Sequence, residues 1–409
     1  MREDRSQRHV NSKGGMREGE KFVLSISYLI FNMAKSKKIF TFFSLLLFLT
    51  ALPAIGKQGE DYLSVTGPCN LEFPKDHGPH PGYRTEWWYY TGNLRSKTGD
   101  QYGFQLTFFR SRISPPGAEK NWPRQPSAWR TQQIYLAHAA VTDIAGKQHL
   151  QAEDVSREAL GMAGVKIAQK NTLVFLKNWS TQINPDSHIL SVKADEFSYQ
   201  LNLKPTKPPV SHGDSGYSLK GSTPERASCY YSLTRLEGQG YISLGEKTVP
   251  VTGSAWMDRE FSTSPLEPGI AGWDWFSLQL SDQTEIMIYL LRKKKGGWHT
   301  ASSGTFIDAF GSSRHLAKND IKLNVLDTWK SPKSKAVYPA RWRLQIKRIS
   351  LDASIFPNLP DQEMQLLGSR GVNYWEGSVT VNGTREMNPV KGEGYVELTG
   401  YARAFDAPL

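Results

Sequence analysis

Carboxyl groups set among tryptophans are where this sequence concentrates its chemistry. In Trp273-Asp274-Trp275-Phe276-Ser277-Leu278-Gln279-Leu280, an extended backbone puts Asp274 on one face with Phe276, Leu278 and Leu280. An aspartate facing apolar side chains loses the hydration that stabilises its charge, so its pKa rises and a proton stays available for donation. The same carboxylate could instead be held ionised by an arginine, with Arg259 and Arg292 as the candidates. Gly253-Ser-Ala-Trp-Met-Asp-Arg-Glu-Phe261 likewise places Ser254, Trp256, Asp258 and Glu260 on one face of a strand, and Ala255, Met257, Arg259 and Phe261 on the other. A row with a tryptophan and two carboxylates is a poor core face. It is either the wall of a ligand pocket or a solvent face carrying ion pairs.

Residues 77–92 add five aromatics, two histidines, an arginine and a glutamate within sixteen positions. So much aromatic surface beside ionisable groups either seals one end of a β-barrel or lines an apolar pocket with polar handles. Glu86, beside Trp87 and Trp88, and Glu376, after Tyr374-Trp375, could each anchor a cationic group, act as a second acid or base, or form a rim ion pair. His77 and His80 lie in a Gly/Pro-rich loop, as turn residues or a barrel plug, and His138 reads as a hydrogen-bonded core histidine. Together these groups suit one reaction without a cofactor. A protonated Asp274 would donate to an isolated alkene, the faces of Trp256, Trp273 and Trp275 would stabilise the carbocation by about 0.5 to 2 kcal/mol each, and water would add.

The elements that must position them are strands. Tyr102, Phe104, Leu106 and Phe108 alternate with Gly103, Gln105 and Thr107; Ile134, Leu136, His138 and Ala140 behave likewise. Segments around Trp256, Trp275, Trp342, Trp375 and Val396 share the pattern, and one short helix is expected at Ala152–Ala159. An internal repeat is visible. Trp87 to Leu94, a polar turn, and Leu106 to Arg110 resemble Trp273 to Leu280, a polar turn, and Ile288 to Arg292. With the Pro/Gly-rich stretch Lys204–Pro224 as the joint, the pattern predicts an all-β protein of two tandem lipocalin-like antiparallel barrels, residues 57–225 and 226–409.

Residues 33–56 read as a secretory signal: Lys35, Lys37 and Lys38, the apolar run Ile39–Leu52, and a small-x-small site at Ala54-Ile55-Gly56. Residues 1–32 then form an upstream extension, and a secreted or periplasmic location is expected. Without residues 1–56 the formal charge of +11 falls to about +6. That mild balance, with no like-charge block beyond Arg292–Lys295, argues against nucleic acid as a partner. Cys69 and Cys229 could pair in an oxidising compartment or remain buried thiols. No metal site is expected, because His77-x-x-His80 lacks a third ligand nearby and no Cys/His spacing suits zinc. A GxSxG elbow, a P-loop, HExxH and a GxGxxG before a helix are all missing, which removes support for serine-hydrolase, nucleotide, zincin and dinucleotide readings.

Five motifs in order resemble the AttH/CrtC family, which includes carotenoid 1,2-hydratases: Phe73 to Leu94, Gly253 to Glu260, Gly272-Trp-Asp-Trp-Phe276, Tyr374-Trp-Glu-Gly377 and Gly394 to Tyr401. The resemblance covers nearly all of residues 65–403. It implies two packed lipocalin-like domains bordering a ligand cavity, and terpenoid or polyene hydration in the hydratase branch. Trp256 and Asp274 fall on positions associated with the hydratase pocket, with Glu86, Trp87, Trp88, Trp273, Trp275, Asp258, Glu260, Tyr374 and Glu376 as ligand-facing candidates. The chain departs from the hydratase pattern at Ser254 and Gly272, where that pattern has histidine and tyrosine. A non-catalytic alternative fits the same frame: a periplasmic carrier of a hydrophobic ligand serving a membrane transporter, which needs only shape and an apolar lining.

Overall fold

Period-two burial turns the aromatic segments into strands with two buried faces. Along Thr85–Ser96, Trp88, Tyr90 and Leu94 are 0–1% exposed in one cluster, while Tyr89 on the opposite face is 7% exposed in another. The computed structural model describes residues 62–264, 266–365 and 373–404. The expected upstream extension 1–32 and leader 33–56 lie outside the described residues.

The first sheet begins with β1 (Thr85–Ser96), β2 (Gln101–Arg112), β3 (Gln133–Asp143), β4 (Gln148–Arg157), β5 (Ala163–Ala168), β6 (Asn171–Leu176) and β7 (Trp179–Asn184). It continues with β8 (Ser187–Lys193), β9 (Phe197–Pro205), the short β10 (Val210–Ser211) and β11 (Tyr217–Leu219), and the long β12 (Ala227–Leu244) and β13 (Lys247–Ser262). The second begins with β14 (Ile270–Leu280), β15 (Glu285–Lys293), β16 (Ser303–Ile307), β17 (Ser313–Ala317) and β18 (Ile321–Lys330). It ends with β19 (Val337–Ile346), β20 (Leu351–Pro357), β21 (Glu363–Gln365), β22 (Asn373–Arg385) and β23 (Asn388–Leu398).

All pairings are antiparallel, and both sheets curl into barrel or half-barrel shapes. The first runs β4-β3-β2-β1-β13-β12-β9-β8-β7-β6-β5 and the second β17-β16-β15-β14-β23-β22-β20-β19-β18. The common order explains the repeated hairpins: β1/β2 and β14/β15 each open a sheet, and the opening strand then pairs with that sheet's last strand.

Two expectations are corrected. Ala152–Ala159 is not a helix: residues through Arg157 belong to β4, with Ala152 opposite Ala139 and Val155 opposite Leu136. Helix propensity is a weak preference, and a full ladder on β3 overrides it. The change of sheet also falls between Ser262 and Ile270, not at Lys204–Pro224. The proline-rich stretch is a strap within the first sheet, its short strands pairing with β12, because the central strand β1 needs β13 as a partner to complete the curl.

Each barrel is filled by its own cluster, and a third cluster lies between them, joining Tyr89, Tyr230 and Trp256 to Trp275, Met287, Tyr289, Leu291 and Tyr395. Close approach is permitted by Gly103 on β2, where a Cβ would sit 2.9 Å from Ser378 Cβ and 3.2 Å from the Tyr395 hydroxyl. The seam is also polar. Asn93 Nδ2 donates to the Gly394 carbonyl at 3.1 Å, Gln279 Nε2 donates to the carbonyls of Thr234 and Ala255 at 2.8 and 2.9 Å, and Ser254 Oγ donates to Gln279 Oε1 at 2.6 Å.

Candidate active site between the barrels

The face of β13 carrying Trp256, Asp258 and Glu260 is turned toward the second barrel, with all three side chains at most 6% exposed. Asp258 accepts hydrogen bonds from the Tyr230 hydroxyl at 2.7 Å, from Trp256 Nε1 at 2.6 Å and from Ser232 Oγ. Trp275 Nε1 donates to Tyr230 at 3.0 Å, and His212 ties Ser232 to Thr305 of the second barrel at 2.6 and 2.9 Å. Glu260 pairs with Lys220 at 3.1 Å, and that ammonium lies 3.9 Å from the centre of the Tyr289 ring. Trp275 stands edge-on to Tyr89 and Trp256, with ring centres 5.2 and 6.3 Å apart.

The second barrel answers with two more carboxyls. Glu376 on β22 and Glu397 on β23 are direct cross-strand partners, so their side chains leave the same face side by side. Glu376 is 1% exposed and lies against Tyr89 and Tyr374, while Glu397 is half-buried at the rim, where Trp273 Nε1 donates to it at 2.9 Å. Burial and then the neighbouring Glu397 push the Glu376 carboxyl well above its ordinary range, against the pull of Tyr89 and Tyr374. Glu397 is raised to about 7 by burial and by the Asp258 and Glu260 charges, against the Trp273 hydrogen bond. Asp258 is raised to about 7 by burial, its three hydrogen bonds opposing that rise. The site thus sets a carboxyl pushed well above its ordinary range beside one that titrates near neutrality.

Such an arrangement can give a proton to one atom and take one from another. The described residues hold no group of three or more His, Cys, Asp or Glu placed to bind a metal ion.

The AttH-like family profile matches residues 64–401, most of the chain. The chain belongs to the AttH-like family. The fold agrees with a solved structure assigned to AttH from Nitrosomonas europaea, at 34% identity and a TM-score of 0.73, over 83% of this chain and 99% of that one. Among curated proteins it is similar to kievitone hydratase of Fusarium solani subsp. phaseoli, 22% identical over 233 residues. That match spans 52% of this chain and 63% of the hydratase. Kievitone hydratase from Nectria haematococca shares the fold at 15% identity and a TM-score of 0.62, over 84% of this chain and 98% of that one.

Within this AttH-like frame, the residues singled out in the sequence divide into three places. Trp256, Asp258, Glu260, Trp273, Trp275, Tyr374 and Glu376 meet between the barrels, and Trp87 packs at the edge of that cluster. Asp274 does not join them. On the alternate face of β14 it enters the second barrel, where Arg292 Nη1 reaches it at 2.6 Å and Tyr401 donates to it. Burial raises its carboxyl to about 6 against the pull of Arg292 and Tyr401.

Glu86 and Trp88 lie at the first barrel's end. Burial would raise Glu86, but Arg259 and Arg110 outweigh it and hold the carboxyl well below its usual range. The backbone N–H of His80 donates to Glu86 at 3.0 Å, and the Arg259 guanidinium lies 3.8 Å over Trp88. His77 Nδ1 lies 2.7 Å from the Tyr231 hydroxyl. These contacts fasten the histidine-bearing segment to β1, β12 and β13.

Tyr89, Tyr230, Ser232, His212, Lys220 and Glu397 escaped notice in the sequence. For Glu397 a signal existed: it lies in Gly394 to Tyr401 and shares β23's outward face with Tyr395. Tyr230 and Ser232 join through cross-strand contacts between β12 and β13, His212 reaches Thr305 on β16, 93 residues on, and Lys220 reaches Glu260 from the strap.

Proposed function

We propose that this AttH-like protein adds water across a carbon–carbon double bond of a hydrophobic small molecule, a terpenoid, polyene or lipid, at the carboxyls between its barrels. The observation that carries the reading is the cross-strand pair Glu376 and Glu397, one carboxyl pushed well above its ordinary range by its surroundings and the other shifted to about 7. Glu376 donates its proton to one alkene carbon, forming a C–H bond and leaving a cation on the other. The faces of Trp256, Trp275 and Tyr89 stabilise that cation. A water oxygen bonds to it, and Glu397 takes the water's proton, so the pair ends with the proton count it began with. Similarity to kievitone hydratase supports the reaction class.

The geometry favours this pair over Asp274, because an aspartate bound by Arg292 and Tyr401 inside the second barrel does not face the tryptophans. The site is lined by closely packed side chains, so substrate entry requires rings to move apart; Trp87 and Trp273, both half-buried, are those nearest solvent. The Cys69–Cys229 bond supports an oxidising compartment and, with the leader at 33–56, a secreted or periplasmic protein.

The test starts from lipids that copurify with the protein. Incubation in heavy-oxygen water followed by mass analysis should reveal one added water carrying the label, and Glu376→Gln should abolish it. Tight retention of the lipid with no labelled product by the unaltered protein would instead identify a carrier.

A further inference from the structure

Folding leaves a group of large apolar side chains on the outside of the first barrel. Ile113, Trp129, Ile134 and Val155 are 57%, 53%, 36% and 54% exposed, so the patch they form faces water. Ile113, Trp129 and Ile134, with Arg130 and Arg157, line an open groove of about 370 Å³ where the segment between β2 and β3 meets the end of β4. Exposed apolar surface gathered in one place marks a contact with a partner or a membrane. The ladder carries this surface toward the carboxyls. Val155 on β4, Leu136 on β3, Phe109 on β2 and Trp87 on β1 are successive cross-strand partners on one outward face, and Trp87 stands opposite Glu260 on β13.

The charge around the groove selects the partner. Arg130 and Arg157 are exposed, and among the described residues neither pairs with a carboxylate: Arg130 lies 5.3 Å from the centre of the Trp122 ring, and Arg157 Nη1 donates to the Trp129 carbonyl at 3.1 Å. The neighbouring acids are engaged elsewhere. Glu119 lies 3.7 Å from Arg112, Asp154 pairs with Lys177, and Glu158 accepts from Gln133 Nε2 at 2.8 Å. A tryptophan between two unpaired guanidinium groups, beside isoleucines, suits a lipid–water boundary: the ring sits among headgroups, the arginine forks hold phosphates, and the aliphatic groups reach the acyl chains. We propose that this face docks the protein on a bilayer containing anionic phospholipid, with the groove set among the headgroups. The docking stands on these exposed side chains; its use, handing a hydrophobic molecule along the row from Val155 to Trp87, rests on the reading of the carboxyl site as a hydratase.

Flotation of the mature protein with vesicles tests the docking without a substrate. Vesicles of phosphatidylcholine and phosphatidylglycerol in equal parts should bind it about tenfold more tightly than phosphatidylcholine alone, and added salt should shrink the difference. Arg130→Glu combined with Arg157→Glu should abolish that preference, and Trp129→Ser should weaken binding to both vesicles severalfold, with melting temperatures unchanged because these side chains are exposed. Arg314→Glu combined with Arg341→Glu makes the same charge change at exposed arginines of the second barrel and should leave binding as it was. An equal loss in that control would reduce the effect to net charge and overturn the docking face. Failure to float with either vesicle at low salt would also overturn it, as would a dimer that Trp129→Ser dissociates while vesicle binding is unaffected. A protein that floats as expected yet forms no labelled product from copurified lipid would overturn the hydratase reading and leave the docking standing.

Discussion

Arg292 Nη1 lies 2.6 Å from Oδ1 of Asp274, and the Tyr401 hydroxyl sits 3.1 and 3.0 Å from that carboxyl's two oxygens. The same guanidinium stacks 3.6 Å from the centre of the Tyr401 ring. Residues just beyond β23 thus close one end of the second barrel, as Glu86 with Arg110 and Arg259 closes one end of the first.

Removing one partner from such a pair leaves a buried charge uncompensated. Asp274→Asn should therefore destabilise the protein by about 3 to 5 kcal/mol, and the double change with Arg292→Met should recover much of the loss. Urea unfolding measures both. Loss of hydration activity in Asp274→Asn with stability untouched would instead place Asp274 in the catalytic machinery.

The Asp258 carboxyl makes a pH prediction with a definite sign. Its folded pKa of about 7 lies above the ordinary 3.8, so the folded state holds this proton more tightly than the unfolded chain does. The resulting stability is complete below the unfolded value and is lost as pH rises through about 7. Relative to Asp258→Asn, the unaltered protein should lose about 1.4 kcal/mol per pH unit within that window. The check is the difference between the two unfolding free energies as a function of pH; a flat difference would mean that Asp258 titrates normally.

The bond between Cys69 and Cys229 spans a sequence separation of 160 residues and fastens the segment before β1 to β12. In the chain-entropy model a loop of that length is worth about 5 kcal/mol. Replacing both cysteines with alanine should lower the unfolding free energy by that order, and the variant should be indifferent to reductant while the unaltered protein is not.

Gly272 stands where the hydratase pattern has tyrosine. A Cβ here would collide with the backbone carbonyl of Thr399 on the segment that seals the second barrel. Gly272→Ala should thus reduce thermal stability, whereas Gly99→Ala, with open space around its Cβ position but a left-handed φ of 93°, should cost only local turn strain. Melting curves of the two variants decide it.

For the leader, the expected outcome is a mature chain beginning at or near Lys57. Intact-mass analysis of protein from the cell envelope checks it, and recovery of the complete chain from the cytoplasm would contradict it.

Alternation alone determined that β1, β2, β3, β13 and β14 are strands and which residues share a face, because side chains on extended backbone project with a period of two. It correctly separated Trp256 and Asp258 from Met257 and Arg259, and Asp274 from Trp273 and Trp275. Periodicity carries no sign telling a barrel interior from a face covered by a second barrel, since both bury aromatics. That is why Asp274 looked like the acid among the tryptophans, although its apolar face fills the second barrel and the tryptophan face meets the first. Only packing decided that Arg292 rather than Arg259 would hold Asp274, that Arg259 would go to Glu86, and that Glu397 would stand beside Glu376. Those choices depend on strand register, and on the approach of two sheets at Gly103, which brings it against Ser378 and Tyr395, a contact that no local window of sequence contains.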